Sequence, residues 1–289
     1  MTPTDDKRNG KASNKANDKA KERTARTEDG ARKGTEGVRS VSRALAILEA
    51  MARNEEALGL VAISKLVDLD PTTTHRLLQT MQQHGFIAQS PLDGKYALGI
   101  RVFQIGNSVT HLTALRQVVR PFIQVLMERT SETANLAIKD GLEAAYVEQV
   151  TGPHFLRTFT EVGRGIPLHA TAVGKALLIG ASEAELKRLA AGGLGRYTDK
   201  TVTTRDRLLA EVEKCKSQGY SIDDEEFETG ARCLGAPVAL PDGRVYCAIS
   251  VSGPITRMTH ERVQSLIPVV IKSAAEIAQA LRVTGPTFL

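Results

Sequence analysis

Two sets of side chains in this 289-residue sequence have types and spacings suited to holding a ligand. The first is Thr72, Thr73, His75, Arg76 and Gln79, interleaved with Thr74, Leu77, Leu78 and Met81 at steps of three and four. That spacing predicts one helix with an apolar face and a polar face. Hydroxyl, imidazole, guanidinium and amide groups on one face can reach base edges in a DNA major groove. Arg76 suits guanine, Gln79 suits adenine, and Thr72 and Thr73 at the helix start can meet phosphate. The second set is Ala172, Val173, Asp223, Cys233, Ser250 and Ser252. Thr171 reads as the N-cap of a helix whose next N–H groups have no intrahelical acceptor, a favourable place for an anion. In the strand AISVSGP, Ser250 and Ser252 share one face while Ile249 and Val251 point to the other, so two hydroxyls can grip one ligand. Asp223, ten residues before Cys233, closes a strand and offers an acceptor, and Cys233 is a weak donor.

Each of these residues also has a purely structural reading. A polar helix face is commonly just solvated, and Asp223-Asp224-Glu225-Glu226 reads equally well as a solvated run. The two serines can satisfy sheet neighbours, and Cys233 and Cys247 can be small buried residues. Context favours the ligand reading for the first set. Before it, Val41, Ala44, Leu45, Leu48 and Met51 follow Ser40, a suitable N-cap, and predict a first helix, with a second, short helix over 62–67. Asp70 then caps a third helix with Pro71 at its first position, running to about His84 before Gly85. Behind it, 86–88 and 95–98 are strand candidates joined by the turn Ser-Pro-Leu-Asp-Gly. Three helices and a two-stranded hairpin over 37–99 make a winged helix-turn-helix, with Arg43 and Lys95 placed for backbone contacts to DNA.

A linker helix is expected over 100–113, then a helix around Pro121 that opens a second domain over 114–289. Strands are expected over 133–139, 144–149, 155–161, 220–223, 237–240 and 245–251, alternating with helices. This is an α+β domain around a largely antiparallel sheet. Ser182 with Glu185 forms a capping box, and Thr203 with Asp206 a weaker one. From about Thr259 a last helix places Val263, Leu266, Val270, Ile271, Ala274, Ile277, Ala278 and Leu281 on one stripe. Apolar residues of 155–166 are expected to close the pocket above the second set.

Composition narrows the partners. The net charge is +5, of which residues 1–40 carry +4 with 11 Lys and Arg against 7 Asp and Glu. Residues 1–36 are expected to form a disordered basic tail, either a solvated leader or a non-specific phosphate-binding arm. No apolar run reaches the roughly 18 residues of a membrane span, and the N-terminus carries no apolar signal core, so a cytoplasmic protein is expected. Three scattered cysteines argue against disulfides and structural zinc. No nucleophile elbow, metal-spaced histidine pair or phosphate loop occurs. No catalytic residue, metal or cofactor is therefore expected, and His169 reads as structural. An enzyme acting on a small carboxylate and a DNA-binding protein without a ligand are the competing readings.

The segments VRSVSRALAILEAM, TTTHRLLQTMQQHGFI, PLHATAVGKALL, GYSIDDEEFETGARCLGAPV and AISVSGPITRMT, in this order, resemble the IclR family of bacterial transcriptional regulators. The resemblance extends from Val38 to Leu281. It implies a winged helix-turn-helix, a GAF-like effector-binding domain, and a homodimer or dimer of dimers on double-stranded operator DNA. It also implies a small organic-acid effector surrounded by Ala172, Val173, Asp223, Cys233, Ser250 and Ser252. Regulation of a catabolic operon is expected, with repression ahead of activation. Pro71 and Thr74 stand where the family more usually has a Lys or Ser and a β-branched aliphatic residue, and Val173 is bulkier than the small residue common there.

Overall fold

The computed structural model describes residues 38–284 apart from 55, 157–161, 164 and 241, so the expected basic tail lies outside the described residues. Two compact units divide the chain, the first ending at Ile105 and the second beginning at Gly106.

In the first unit, α1 (Arg39–Ala52), α2 (Leu60–Leu66) and α3 (Pro71–Gln83) precede the hairpin β1 (Ile87–Gln89) and β2 (Tyr96–Leu98). Leu58 pairs with Tyr96 and widens the hairpin by one bridge. Ile47, Met51, Ile63, Leu78, Met81, Ile87 and Tyr96 form the core, with Ala44, Leu48 and Leu77 packed against it. Each such aliphatic side chain contributes roughly 1.5–3 kcal/mol through burial. The expected stripe of α1 is therefore rotated: Ile47 is its buried centre, whereas Val41 and Leu45 are half-exposed. Ser40 is not the cap, because Val38 holds that position and makes no side-chain cap bond. At α3 the expected signals hold. The Asp70 carboxylate accepts from the Thr73 N–H at 2.8 Å, Pro71 occupies the first turn, and Gly85 takes the left-handed φ of 76° that ends the segment.

The single linker helix expected over 100–113 is instead two helices, α4 (Ile100–Asn107) and α5 (Thr110–Thr130). The run Gly106-Asn107-Ser108 has low helix propensity and falls at the break. Pro121 lies inside α5.

The second unit holds β3 (Thr133–Asp140), β4 (Glu143–Val150), β5 (Gly165–Pro167), α6 (Ala172–Leu178), α7 (Glu183–Ala191), α8 (Arg205–Gln218), β6 (Ser221–Asp224), β7 (Ala231–Ala239), β8 (Val245–Pro254) and α9 (His260–Thr284). The six strands form one antiparallel sheet in the order β5-β4-β3-β8-β7-β6. One face meets α5 and α9 through a core that includes Val119, Ile123, Leu136, Ile249, Val270 and Ile277. The other face meets α6, with Ala137, Tyr146, Val173, Leu177 and Ala248 in its core.

Three expectations for this unit are corrected. Of the strand expected over 155–161, Phe155 and Leu156 are instead exposed in a bend and 157–161 lie outside the described residues; the edge of β4 pairs with β5. The strand expected over 237–240 begins earlier, at Ala231, because β7 pairs along nearly all of β8. Helix α8 starts after Thr204, which makes no side-chain cap bond, so Thr203 and Asp206 form no capping box. The box at Ser182 and Glu185 is complete.

Candidate effector pocket and nucleic-acid interface

The antiparallel register aligns the four strand residues of the second set, Asp223, Cys233, Ser250 and Ser252, in two rows across the face that meets α6. Thr133 pairs with Ser252, Ser252 with Cys233, and Cys233 with Asp223. One step along, Asn135 pairs with Ser250, Ser250 with Gly235, and Gly235 with Ser221. The Asn135 amide donates to Ser250 Oγ at 3.3 Å and Ser252 Oγ at 3.2 Å. Both serines are buried, so this amide orients the two hydroxyls together. Asn135 was not legible as a site residue because only β3–β8 pairing brings it there.

The start of α6 is held against these rows. A Cβ on Gly235 would lie 2.8 Å from the Ala172 carbonyl oxygen, so only glycine permits this approach, and the Ser221 hydroxyl donates to that oxygen at 2.6 Å. Thr171 caps the helix by accepting from the Gly174 N–H at 3.2 Å. Ala172 and Val173 are buried, and their N–H groups meet no acceptor among the described residues. Because α6 spans only seven residues, what its start offers a ligand is these two donors more than a macrodipole.

The acidic run is four separate contacts. Asp224 pairs with Arg232 at 2.6 Å and Glu225 with Lys200 at 2.6 Å. Glu226 Oε1 lies 2.5 Å from the fully buried Lys175 of α6, which also meets Glu211 at 3.1 Å, while Glu226 Oε2 is buried without a partner. Burial alone would lower the Lys175 pKa, but the two carboxylates outweigh it and raise it. Burial likewise pushes Glu226 up, against the lowering by Lys175. Asp223 is buried and its Oδ1 accepts from the N–H groups of Glu226 at 2.8 Å and Phe227 at 3.3 Å. Burial, reinforced by the Glu226 charge, pushes its pKa up to about 7 despite those bonds. Its carboxyl can thus hold a proton near neutrality.

Burial and the Asp223 charge also push the Cys233 thiol up, keeping it neutral. The Asn135 amide nitrogen donates to both serines, and an amide is not a base that could activate them. His169 Nε2 contacts the Gly195 carbonyl at 2.9 Å. Since a carbonyl only accepts, that nitrogen carries the proton and the ring ties down a loop. Among the described residues no group of three His, Cys, Asp or Glu could hold a metal. Phe155, expected to help close the pocket, is fully exposed and does not, while Ile166 of the same segment is buried.

In the first unit, Arg43 of α1 and Thr73, Arg76 and Gln79 of α3 line one groove of about 680 Å³, together with Arg39, Ser40, Leu77, Thr80 and Gln83. Thr72, His75 and Lys95 lie outside that lining, with Thr72 exposed on the first turn of α3, His75 half-buried on it and Lys95 in the wing 3.9 Å from Asp93. Thr74, Leu78 and Met81 are buried as expected, which leaves the polar face outward. Arg39 and Ser40 join Arg43 of the same helix in this groove; the expectation that α1 starts after Ser40 left both outside the helix, whereas α1 begins at Arg39.

Comparison with known proteins covers both units. Residues 107–279 match the family described as Bacterial transcriptional regulator IclR C-terminal, and residues 40–91 match the IclR helix-turn-helix domain. The chain is similar to the Transcriptional repressor IclR of Escherichia coli (strain K12), at 37% identity over 246 residues, 84% of this chain and 90% of that protein. It is 34% identical over 251 residues to the HTH-type transcriptional repressor AllR of Salmonella typhi, covering 86% and 92% of the two chains. Among solved structures, the Thermotoga maritima IclR aligns with a TM-score of 0.66 at 27% identity, over 84% of this chain and 98% of that one. The chain belongs to the IclR family and is a DNA-binding transcriptional regulator.

Proposed function

We propose that this regulator is a repressor of a catabolic operon whose hold on its operator is modulated by a small organic acid. On the DNA side, Arg76 and Gln79 read bases, with Thr72, Thr73 and His75 beside them, and Arg43 and Lys95 contact the backbone. On the effector side, Ala172 and Val173 donate their N–H groups to the acid's carboxylate. Ser250 and Ser252 hold its other polar end, with Asp223 and Cys233 alongside. The observation that carries this reading is the pair of buried, unanswered N–H groups at the start of α6, packed against the rows of Ser250 and Cys233. Buried donors of this kind are rare, and an anion satisfies both. An Asp223 carboxyl able to hold its proton can donate to such an anion rather than repel it.

The functional domains are 37–99 and 114–289, joined through the helical segment between them, and the protein acts in the cytoplasm. Among the described residues no helix is long and apolar enough to cross a membrane. Homodimerisation is supported by α4, where Ile100 is 67% and Phe103 65% exposed. A second copy would cover this apolar surface, and the same pairing would present two reading helices to an inverted-repeat operator.

The test is operator binding by fluorescence anisotropy, with and without millimolar sodium pyruvate and sodium benzoate as small and large carboxylates. In the wild-type protein at least one acid is expected to change operator affinity. The double variant Ser250→Ala/Ser252→Ala is expected to keep its ligand-free operator affinity and lose that change. A full response in the double variant, or none in the wild type, overturns the reading. Turnover of either acid would favour an enzyme.

A further inference from the structure

A break in alternation in β4 joins the polar rows to α5. Leu136 of β3 pairs with Glu148, but the next residue, Ala137, pairs with Tyr146, so Val147 is an extra residue in the strand. Under strict alternation Tyr146 and Glu148 would share a face. The bulge instead sends Tyr146 to the side of Ala137 and α6, and Glu148 to the side of Leu136 and α5.

Both residues are buried, and each is polar at its tip. The Tyr146 phenol comes within electrostatic reach of Cys233 and Asp223, and among the described residues its hydroxyl has no hydrogen-bond partner. On the opposite side, Glu148 Oε2 lies 3.2 Å from Arg116 Nε and Oε1 lies 3.0 Å from Arg120 Nη1. The two arginines are one turn apart on α5 and substantially exposed, at 46% and 61%, while Glu148 is fixed in the sheet. Their alternative partner is water, so a small displacement of Glu148 is enough to release them. Helix α5 is the first helix that lies wholly within the second unit.

We propose that Tyr146 contacts the effector by donating its phenolic hydrogen to it, and that the Val147 bulge makes Tyr146 and Glu148 two ends of one lever that alters the hold of β4 on α5. The proposal rests on the reading of the site as an effector pocket. A bound acid that pulls Tyr146 toward the polar rows turns β4 at its bulge, the one point where the strand lacks regular pairing. Glu148 then exchanges its grip on Arg116 and Arg120. A ligand shifts such an equilibrium only through contacts that differ between the two arrangements, and the phenol supplies one.

The experiment uses the full chain, with pyruvate and benzoate as probes. Acid affinity is read by calorimetry, and coupling is read as the ratio of operator Kd with and without acid. Tyr146→Phe is expected to weaken acid binding about tenfold, the scale of a hydrogen bond to a charged group, with ligand-free operator affinity unchanged. Glu148→Gln is expected to bind acid within about threefold of wild type and to lose most of the coupling ratio. Arg120→Gln, on an exposed side chain that folding does not require, is expected to do the same and covers the case in which Glu148→Gln is unstable. If Tyr146→Phe binds acid normally while Ser250→Ala/Ser252→Ala does not, the phenol contact is overturned and the pocket stands. If Arg120→Gln keeps full coupling, the lever is overturned. If neither acid binds the wild type, the pocket reading falls and this inference with it.

Discussion

Helices α3 and α6 both start at a capped residue, yet the two starts treat an anion in opposite ways. At α3 the cap is the carboxylate of Asp70, whose bonds with Thr73 hold its pKa below the usual carboxylate range, so the helix start is exposed and already negative. At α6 the cap is the neutral hydroxyl of Thr171, every residue of the helix is buried, and two N–H groups are unanswered. A capping signal by itself therefore says little about ligands. The charge of the cap and the water around it decide whether the helix start is closed or open to an anion. In the proposed reading, DNA contact at α3 falls to side chains along the helix, whereas at α6 the main chain itself is available to a ligand.

The contrast in burial is broken or sharpened most strongly at Lys175. Replacing Lys175 with Met leaves Glu226 and Glu211 without the cation that neutralises them, and losing one partner of a buried pair costs about 3–5 kcal/mol. Urea unfolding at pH 7 measures this. The loss is expected to shrink at pH 5, because burial has already raised the Glu226 pKa and protonation removes the stranded charge. A loss under about 1 kcal/mol would mean that water reaches the back of α6, and the contrast with α3 would disappear.

Next in size is proton linkage at Asp223, which faces Glu226, Lys175, Cys233 and Tyr146. Its folded pKa, about 7, lies above the ordinary 3.8, so the native state binds the extra proton between those values. The stability it contributes is full at low pH and is lost as pH rises through that window. An acid anion beside Asp223 favours the protonated form. Above pH 7 binding must take up a proton, and affinity is expected to fall by up to about tenfold per pH unit. Asp223→Asn is expected to flatten the dependence. A calorimetric titration from pH 6 to 8.5 checks both, and an affinity independent of pH in the wild type would place the anion away from Asp223.

What could be read from the sequence and what could not divides along the same line. The caps at Asp70, Thr171 and Ser182 are local, three-residue signals, and all three form as expected. The pairing of Ser250 and Ser252 on one face also follows from strand period alone. Asn135 and Tyr146 depend on which strands are neighbours and on a bulge that reverses alternation, and no local pattern encodes either. The solvated reading of the acidic run stayed open in the sequence because its partners, Lys175, Lys200 and Arg232, come from three separate elements. Ser40 is no cap because α1 already begins at Arg39 with Val38 as its N-cap, which leaves Ser40 inside the helix.

The smallest effect tests the other side of the comparison. If the Asp70 carboxylate sits near the phosphates that Thr72 and Thr73 are proposed to approach, it repels them, and Asp70→Asn removes the charge while keeping a side chain that caps equally well. At a separation of several ångströms in water, one charge pair changes affinity by about two- to threefold at low salt, and less at physiological salt where the Debye length is about 8 Å. Operator affinity of Asp70→Asn is therefore expected to rise about two- to threefold at 50 mM salt and to converge on wild type as salt increases. The thermal midpoint is expected to stay unchanged. Anisotropy titrations across a salt series check this. Weaker binding at every salt concentration would mean that Asp70 itself takes part in recognition, and the start of α3 would then be a contact rather than a closed end.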